Sequence, residues 1–196
     1  MFPTITITSY YYHYWFSLLL LLSTITVSPY YYYLSLFPIM RAYLDIETTF
    51  DGQISVVGIH IPGRDMVQLT GVQVTDILIA QALEGVSTVV TFNGASFDLP
   101  FIHRSTGLDI RDLAEHRDLL HTCRKQGLRG GLKRVEVLLG ISRGSGITDG
   151  RLAPRLWQRW ENDRDEEALK VLLEYNREDC VNLEVLEKIL DGMEKV

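Results

Sequence analysis

Two acidic residues near the start of the charged part of the chain are spaced for joint chemistry. They are Asp45 and Glu47, in the segment 44–48. Residues two apart on a β-strand point to the same face, so the two carboxylates are expected side by side. Burying unpaired acids is costly and two on one face repel, so a cation is their natural partner. The alternative is that the strand ends before Asp45 and water solvates both acids.

A second group contains Asp98, which follows an apolar run and a turn. The Asn-Gly pair that begins at Asn93 marks the turn, and Asp98 falls where a helix should begin. Open α/β sheets place their sites at strand ends, which favours a functional Asp98. The alternative is that Ser96 or Asp98 only satisfies free N–H groups at the helix start.

A third group lies on the last predicted helix. Tyr175 and Asp179 are four residues apart, so they share one face of that helix. Either both face a site, or Asp179 pairs with a cation on a solvated face while Tyr175 packs in the core.

In chain order, the three groups resemble the exonuclease motifs of the DEDD superfamily in its tyrosine-bearing branch. These are Asp-x-Glu on the first strand, Asn-x4-Asp at a helix start and Tyr-x3-Asp on the last helix. The chain is similar in particular to the YprB-type ribonuclease H-like domain. That similarity rests on residues 93–101, 118–121, 138–143 and 175–180, and it covers essentially all of 40–196 and none of 1–39.

The resemblance implies a two-metal, 3′–5′ exonuclease mechanism. It implies that Asp45 bridges two Mg²⁺ or Mn²⁺ ions, that Glu47 and Asp179 complete the nucleophile-side ion, and that Asp98 holds the leaving-group ion. Tyr175 would orient or deprotonate the attacking water, and orientation is favoured because a free phenol titrates at about pH 10. The residue types agree, since hard carboxylate oxygens suit Mg²⁺ or Mn²⁺ and no thiolate or histidine cluster favours zinc.

Basic residues gather around a glycine-rich turn and along one helical segment. Either group suits a nucleic-acid backbone, and Phe97 suits stacking on a terminal base. The candidate nucleic-acid contacts are Asn93, Phe97, Arg124, Lys125, Arg129, Lys133, Arg151 and Arg155. Arg151, Arg155 and Arg159 recur every four residues, which predicts one helix stripe. The alternative is that the basic residues form ordinary solvated faces and that Phe97 packs in the core.

The elements that must position these residues alternate between strand and helix patterns. Predicted strands cover 41–46, 54–61, 66–69, 87–91 and 108–110, and the first three form an antiparallel meander joined by turns. Predicted helices cover 74–84, 96–104, 112–125, 132–139, 152–160 and 165–195. This order predicts an α/β fold, and the resemblance makes it a ribonuclease H-like mixed five-stranded sheet flanked by helices. It excludes a plain doubly wound sheet, a helical bundle and an all-β sandwich.

The composition allows one packed domain. The chain has 196 residues, of which 46% are hydrophobic, and its net charge is −6. This charge argues against a binder held to nucleic acid by basic residues alone, though not against an enzyme that meets phosphates through metal ions. Two cysteines cannot form a disulfide framework, so a reduced, cytoplasmic setting is expected.

The first 39 residues do not share this composition. Asp, Glu, Lys and Arg occur only from Arg41 onward, and residues 1–39 hold eight of the ten tyrosines. We therefore divide the chain into an uncharged aromatic and apolar head, 1–39, and an exonuclease domain, 40–196. The head is upstream sequence read from a mistaken start before Met40, a membrane anchor through residues 9–28, or a signal peptide. The signal peptide is the least favoured, because a basic n-region and a small-residue cleavage site are lacking.

The sequence thus predicts a metal-dependent 3′–5′ exonuclease acting on single-stranded DNA or RNA. One alternative is a catalytically silent nucleic-acid-binding or scaffold domain, against which the presence of all four acids and the tyrosine counts. Another is a membrane-tethered protein, with a membrane as partner only if residues 1–39 are genuinely translated.

Overall fold

The computed structural model describes residues 40–144 and 150–194. The predictions for residues 1–39, including the anchor through 9–28, lie outside the described residues. Within the described ranges, no helix has both the length and the apolar character needed to cross a bilayer.

Five strands form one mixed sheet in the order β3-β2-β1-β4-β5. The strands are β1 (Arg41–Thr48), β2 (Ile54–His60), β3 (Val67–Thr70), β4 (Thr88–Thr91) and β5 (Glu115–Asp118). Strand β2 pairs antiparallel with both β1 and β3, whereas β4 pairs parallel with both β1 and β5. The predicted meander and mixed five-stranded sheet are therefore confirmed.

Six α-helices lie between or after the strands of the described chain. They are α1 (Asp76–Ala82), α2 (Asp98–Thr106), α3 (Leu119–Lys125), α4 (Leu132–Leu139), α5 (Ala153–Asp163) and α6 (Glu166–Met193). Helices α1 and α2 contribute to a hydrophobic cluster with one face of the sheet, and α3, α4 and α6 contribute to a cluster with the other. This arrangement is the α/β, ribonuclease H-like architecture that the sequence predicts.

The alternation of side chains along β1 sends its acids towards α6. Ala42, Leu44 and Ile46 belong to the cluster built with α1 and α2, while Tyr43 belongs to the opposite cluster with α6. Asp45 and Glu47 follow Tyr43 at two-residue steps, so they share its face. Because β1 runs to Thr48, the alternative that the strand ends before Asp45 is wrong.

The predicted strand at 108–110 and the single helix over 112–125 are wrong. A 3₁₀ turn occupies Ile110–Asp112, and the fifth strand is Glu115–Asp118, followed directly by α3. The hydrophobic pattern missed this strand because its sequence, Glu-His-Arg-Asp, is entirely polar. Three of its side chains find partners instead: His116 with Thr91, Arg117 with Glu187, and Asp118 with backbone amides.

The predicted arginine stripe is also corrected. Helix α5 begins at Ala153, so Arg151 lies in the preceding 3₁₀ turn, Gly150–Leu152. Proline at the second helical position suits a helix start there. Only Arg155 and Arg159 lie on α5 itself.

Candidate active site

Three carboxylates converge where α6 crosses the face of β1. One oxygen from each of Asp45, Glu47 and Asp179 lies within 4.8 Å of the other two. Asp45 and Glu47 come from alternate positions of one strand, and Asp179 comes from the middle of α6. The geometry therefore joins the first and third predicted groups in one acidic group.

Asp98 approaches the same segment of β1 from another direction. It is the first residue of α2, and the Ile46 amide donates to its Oδ1 at 3.1 Å, between Asp45 and Glu47 in sequence. This amide is available because the pairing of β1 with β4 ends at Tyr43 opposite Val90. Asp98 is buried beside the three-carboxylate group rather than within it.

Asp118 fixes the turn that carries Asp98. Its Oδ1 accepts from the Asn93 and Leu120 amides at 2.7 and 3.0 Å, and its Oδ2 accepts from the Ala95 amide at 3.1 Å. Asn93 has a left-handed φ of 66°, a conformation that asparagine tolerates. Sequence reasoning used Asp118 only within the resemblance. The available signal was an Asp immediately before a helix, where a side-chain cap is common.

Asn176 orients Asp45 from α6. Its Nδ2 donates to Asp45 Oδ2 at 3.1 Å and to the Asp45 carbonyl at 3.2 Å. Its Oδ1 accepts from Gln68 Nε2 at 2.9 Å, which fixes the amide orientation. The sequence placed Asn176 only within the resemblance and indicated no role for it. An indirect signal was Gly58 in the interior of β2, because a strand glycine often marks close approach of another element.

Two cations contact Asp179, and neither was predicted to do so. Arg143 Nη1 lies 2.7 Å from Oδ1, and Lys133 Nζ contacts Oδ2. Sequence reasoning placed Lys133 among nucleic-acid contacts and used Arg143 only within the resemblance. Local sequence patterns could not predict these ion pairs, because 36 or more residues separate the partners.

Tyr175 lies one helical turn from Asp179 and is almost fully buried. The Lys133 ammonium lies 4.4 Å from the centroid of its ring. Burial, then the charge of Asp179, raises the pKa of the Tyr175 phenol above its ordinary value. In the metal-free protein the phenol therefore keeps its proton and is a hydrogen-bond donor.

Asp45, Glu47 and Asp98 hold their protons more tightly than ordinary carboxyl groups in the metal-free protein. Burial and the neighbouring charge of Asp179 raise the pKa of Glu47 to about 8. The same causes, with Glu47 added, hold the pKa of Asp45 well above its ordinary range. Burial raises the pKa of Asp98 to about 7 despite its backbone hydrogen bonds. A divalent cation would relieve this repulsion, and the all-oxygen donor set fits Mg²⁺ or Mn²⁺.

The other predicted nucleic-acid residues lie on the surface. Exposed positions are occupied by Asn93, Phe97, Arg124, Lys125, Arg129, Arg151 and Arg155. Phe97 is 38% exposed and directly precedes Asp98, and its ring lies 4.6 Å from that of Phe101. The structure thus brings Lys133 into the acidic group and leaves the other basic candidates outside it.

Comparison with known proteins identifies the family. A family model described as RNase_H superfamily matches residues 42–191, so the chain belongs to the RNase H superfamily. The chain is also similar to uncharacterized protein MJ0365 of Methanocaldococcus jannaschii, with 27% identity over 167 residues that cover 76% of this chain and 94% of the relative. The chain therefore contains a ribonuclease H-like nuclease domain whose acidic group can hold a divalent metal.

Proposed function

We propose that the chain is a metal-dependent 3′–5′ exonuclease that hydrolyses phosphodiester bonds of single-stranded DNA or RNA. The observation that carries this proposal is the convergence of Asp45, Glu47 and Asp179 within 4.8 Å. Asp98, anchored on the Ile46 amide, adds the fourth acid at the same end of β1. The exonuclease polarity rests on the resemblance of these motifs to the tyrosine-bearing DEDD enzymes.

The residues of the site have two roles in this proposal: the acids bind cations, and Tyr175 orients water. Asp45, Glu47 and Asp179 would hold one Mg²⁺ or Mn²⁺, and Asp98 would hold a second together with Asp45. When bound, such ions stabilise charge on the attacking and leaving oxygens of an in-line displacement. Tyr175 keeps its proton and orients the attacking water as a donor.

The surface beside the site suits an unpaired strand. Phe97 is exposed next to Asp98, and it lies against Phe101, whose ring carries the Arg104 guanidinium at 4.3 Å. A partly exposed aromatic ring can stack on a base whatever its identity. The exposed arginines and lysines near α3, α4 and α5 then contact the backbone phosphates.

We further propose that residues 40–196 form the catalytic domain and that 1–39 take no part in catalysis. We propose a cytoplasmic location for the enzyme, with membrane anchoring through residues 9–28 as the alternative.

The experiment is hydrolysis of single-stranded DNA and RNA labelled at either the 5′ or the 3′ end. With Mg²⁺ or Mn²⁺, 5′-labelled strands should shorten progressively, whereas 3′-labelled strands should release the labelled nucleotide first. EDTA should abolish both reactions. Asp45→Asn should lower the rate about 10²-fold or more. Asparagine keeps the shape of the side chain but lacks the negative charge with which the carboxylate binds a metal ion.

Asp65→Asn provides the matched control, because Asp65 is exposed in the β2–β3 loop. It should react at the wild-type rate. Full activity in EDTA would contradict the metal mechanism. Strand binding without hydrolysis under every metal condition would favour the silent binding domain instead.

A further inference from the structure

The two oxygens of Asp179 are held by different cations. Arg143 Nη1 lies 2.7 Å from Oδ1, while the Lys133 ammonium contacts Oδ2. Asp179 is also a member of the three-carboxylate group. An incoming divalent ion must therefore compete with a cation that the protein itself supplies.

Arg143 is built into the fold. Its side chain is 7% exposed, and its Nη1 also lies 2.9 and 3.0 Å from the two oxygens of Glu136. Glu136 is buried and accepts a further hydrogen bond from Asn182 Nδ2 at 2.8 Å. Removing a guanidinium from such a network would leave buried charges without partners, which is strongly unfavourable. Arg143 therefore stays on Oδ1.

Lys133 is held much less firmly. Its side chain is 24% exposed, and its ammonium pairs with one carboxylate, that of Asp179, and otherwise lies over the Tyr175 ring. Its flexible four-carbon stem starts at the second residue of α4, just after Gly130 and Gly131. When the ammonium moves into water, water solvates its charge, so the lysine itself leaves no buried charge without a partner.

We propose that Lys133 is a placeholder cation, which a divalent metal ion displaces from Asp179 when it binds to Asp45, Glu47 and Asp179. The displaced ammonium then faces the solvent side of the site, where it can contact a substrate phosphate. This inference rests on the metal centre of the proposed function. It makes metal uptake an exchange of one cation for another, with Arg143 holding Asp179 in place throughout.

The test measures the reactivity of Lys133 in the full chain. A water-soluble acylating reagent modifies free amines, and peptide mass spectrometry reads each lysine separately. In EDTA, Lys133 should react slowly because its ammonium is paired. Saturating Mg²⁺ should raise its rate about fivefold or more, the scale of losing one partly exposed ion pair. Lys125, exposed at the end of α3, is the internal reference and should not respond.

Two variants complete the test. Asp179→Asn should make Lys133 reactive in EDTA and abolish the response to Mg²⁺. Lys133→Met should bind Mn²⁺ about fivefold more tightly by calorimetry, because the competing cation is gone. Lys170→Met, which removes an exposed lysine of α6, should leave Mn²⁺ affinity unchanged.

The outcomes distinguish failure of the displacement from failure of the metal centre. A Lys133 rate that is unchanged by Mg²⁺ in protein that binds Mg²⁺ would overturn the displacement. Equal or weaker Mn²⁺ binding by Lys133→Met would overturn it as well. A wild-type chain that binds neither ion would instead reject the metal centre, and with it the proposed function.

Discussion

Tyr175 and Asp179 are one helical turn apart on α6, yet they should respond differently to substitution. Tyr175→Phe keeps the buried ring under the Lys133 ammonium and removes only the hydroxyl. Metal affinity should stay at the wild-type level because no ligand is lost. The hydrolysis rate should fall about 10²-fold, the usual scale for losing a positioned proton-transfer group. Single-turnover rates and metal titrations measure the two effects separately.

The comparison variant is Asp179→Asn, which removes a ligand oxygen. It should weaken metal binding and lower the rate together, and excess Mn²⁺ should partly restore activity. If Tyr175→Phe turned over at the wild-type rate, Tyr175 would leave the catalytic set. That result would also contradict the proposed similarity to the tyrosine-bearing branch.

The raised pKa values of the acids predict how the stability of the metal-free protein depends on pH. The unfolded chain releases the protons of Glu47 and Asp98 at about pH 4, whereas the folded protein keeps them until about pH 8 and 7. Between these limits the folded state binds more protons, so the free energy of unfolding falls as pH rises. Melting temperatures in EDTA should therefore contain a contribution from these acids that declines from pH 5 to 8.

Glu47→Gln isolates the contribution of Glu47 to this pH dependence of stability, because glutamine does not titrate. Its melting temperature relative to wild type should rise with pH, on the order of a few degrees by pH 8. Saturating Mg²⁺ should reverse the sign of the difference, because the variant lacks a ligand. A difference that stays constant from pH 5 to 8 in EDTA would contradict the raised pKa.

At the residue scale, spacing predicted the acids but not what holds them. Asp45 and Glu47 were visible because alternate acids on a strand are unusual and share a face. The partners Asn176, Arg143 and Lys133 were not, because their contacts join distant segments and depend on how α4 and α6 pack. Local sequence carries no signal for contacts of that kind.

At the element scale, the close approach of α6 to β2 is what brings Asp179 to the acids of β1. A Cβ added at Gly58 would lie 2.2 Å from Asn176 Oδ1 and 2.9 Å from Cys180 Sγ. Asn176 cannot yield easily because it is fully buried and bonded to Asp45 and Gln68. Gly58→Ala should therefore lower the free energy of unfolding by about 1–3 kcal/mol, the usual cost of overpacking.

The same substitution should also weaken metal binding, because it moves α6 away from β1. Gly192→Ala is the matched control, since a Cβ at that position of α6 meets nothing within 4 Å. It should be neutral or slightly stabilising, as alanine favours helix. Denaturant unfolding and Mn²⁺ calorimetry read both effects, and a Gly58→Ala protein as stable as wild type would refute the packing argument.

The elements differ in how well the sequence predicted them. Helix α4 was predicted with the bounds that the structure shows, because its apolar residues repeat at helical spacing and a glycine stands on either side of it. Strand β5 was missed because parallel pairing with β4, rather than its own hydrophobicity, makes it a strand. Hydrophobic periodicity finds elements that bury an apolar face, and β5 buries little.

At the scale of the whole molecule, the first residues of the domain, 40–43, make contacts that hold the sheet and α6 together. The Met40 carbonyl accepts from the Ser87 amide at 2.9 Å, and the Tyr43 hydroxyl donates to the buried Glu187 at 2.8 Å. Arg41 and Arg117 pair with the same carboxylate, so Glu187 joins β1, β5 and α6. A domain boundary before Met40 keeps all of these contacts.

Deletion of residues 1–39 is therefore predicted to leave a soluble domain that unfolds cooperatively and hydrolyses nucleic acid with unchanged metal dependence. Deletion of residues 1–43 is the comparison variant. It removes Arg41 and Tyr43 and leaves Glu187 buried with fewer partners. Losing partners of a buried charge costs about 3–5 kcal/mol, a large share of the stability of a domain of this size. The longer deletion should be insoluble or unfolded by circular dichroism at a temperature where the shorter one is folded. If deletion of 1–39 alone abolished folding, the head would belong to the catalytic domain, and the boundary drawn from the charge pattern would be wrong.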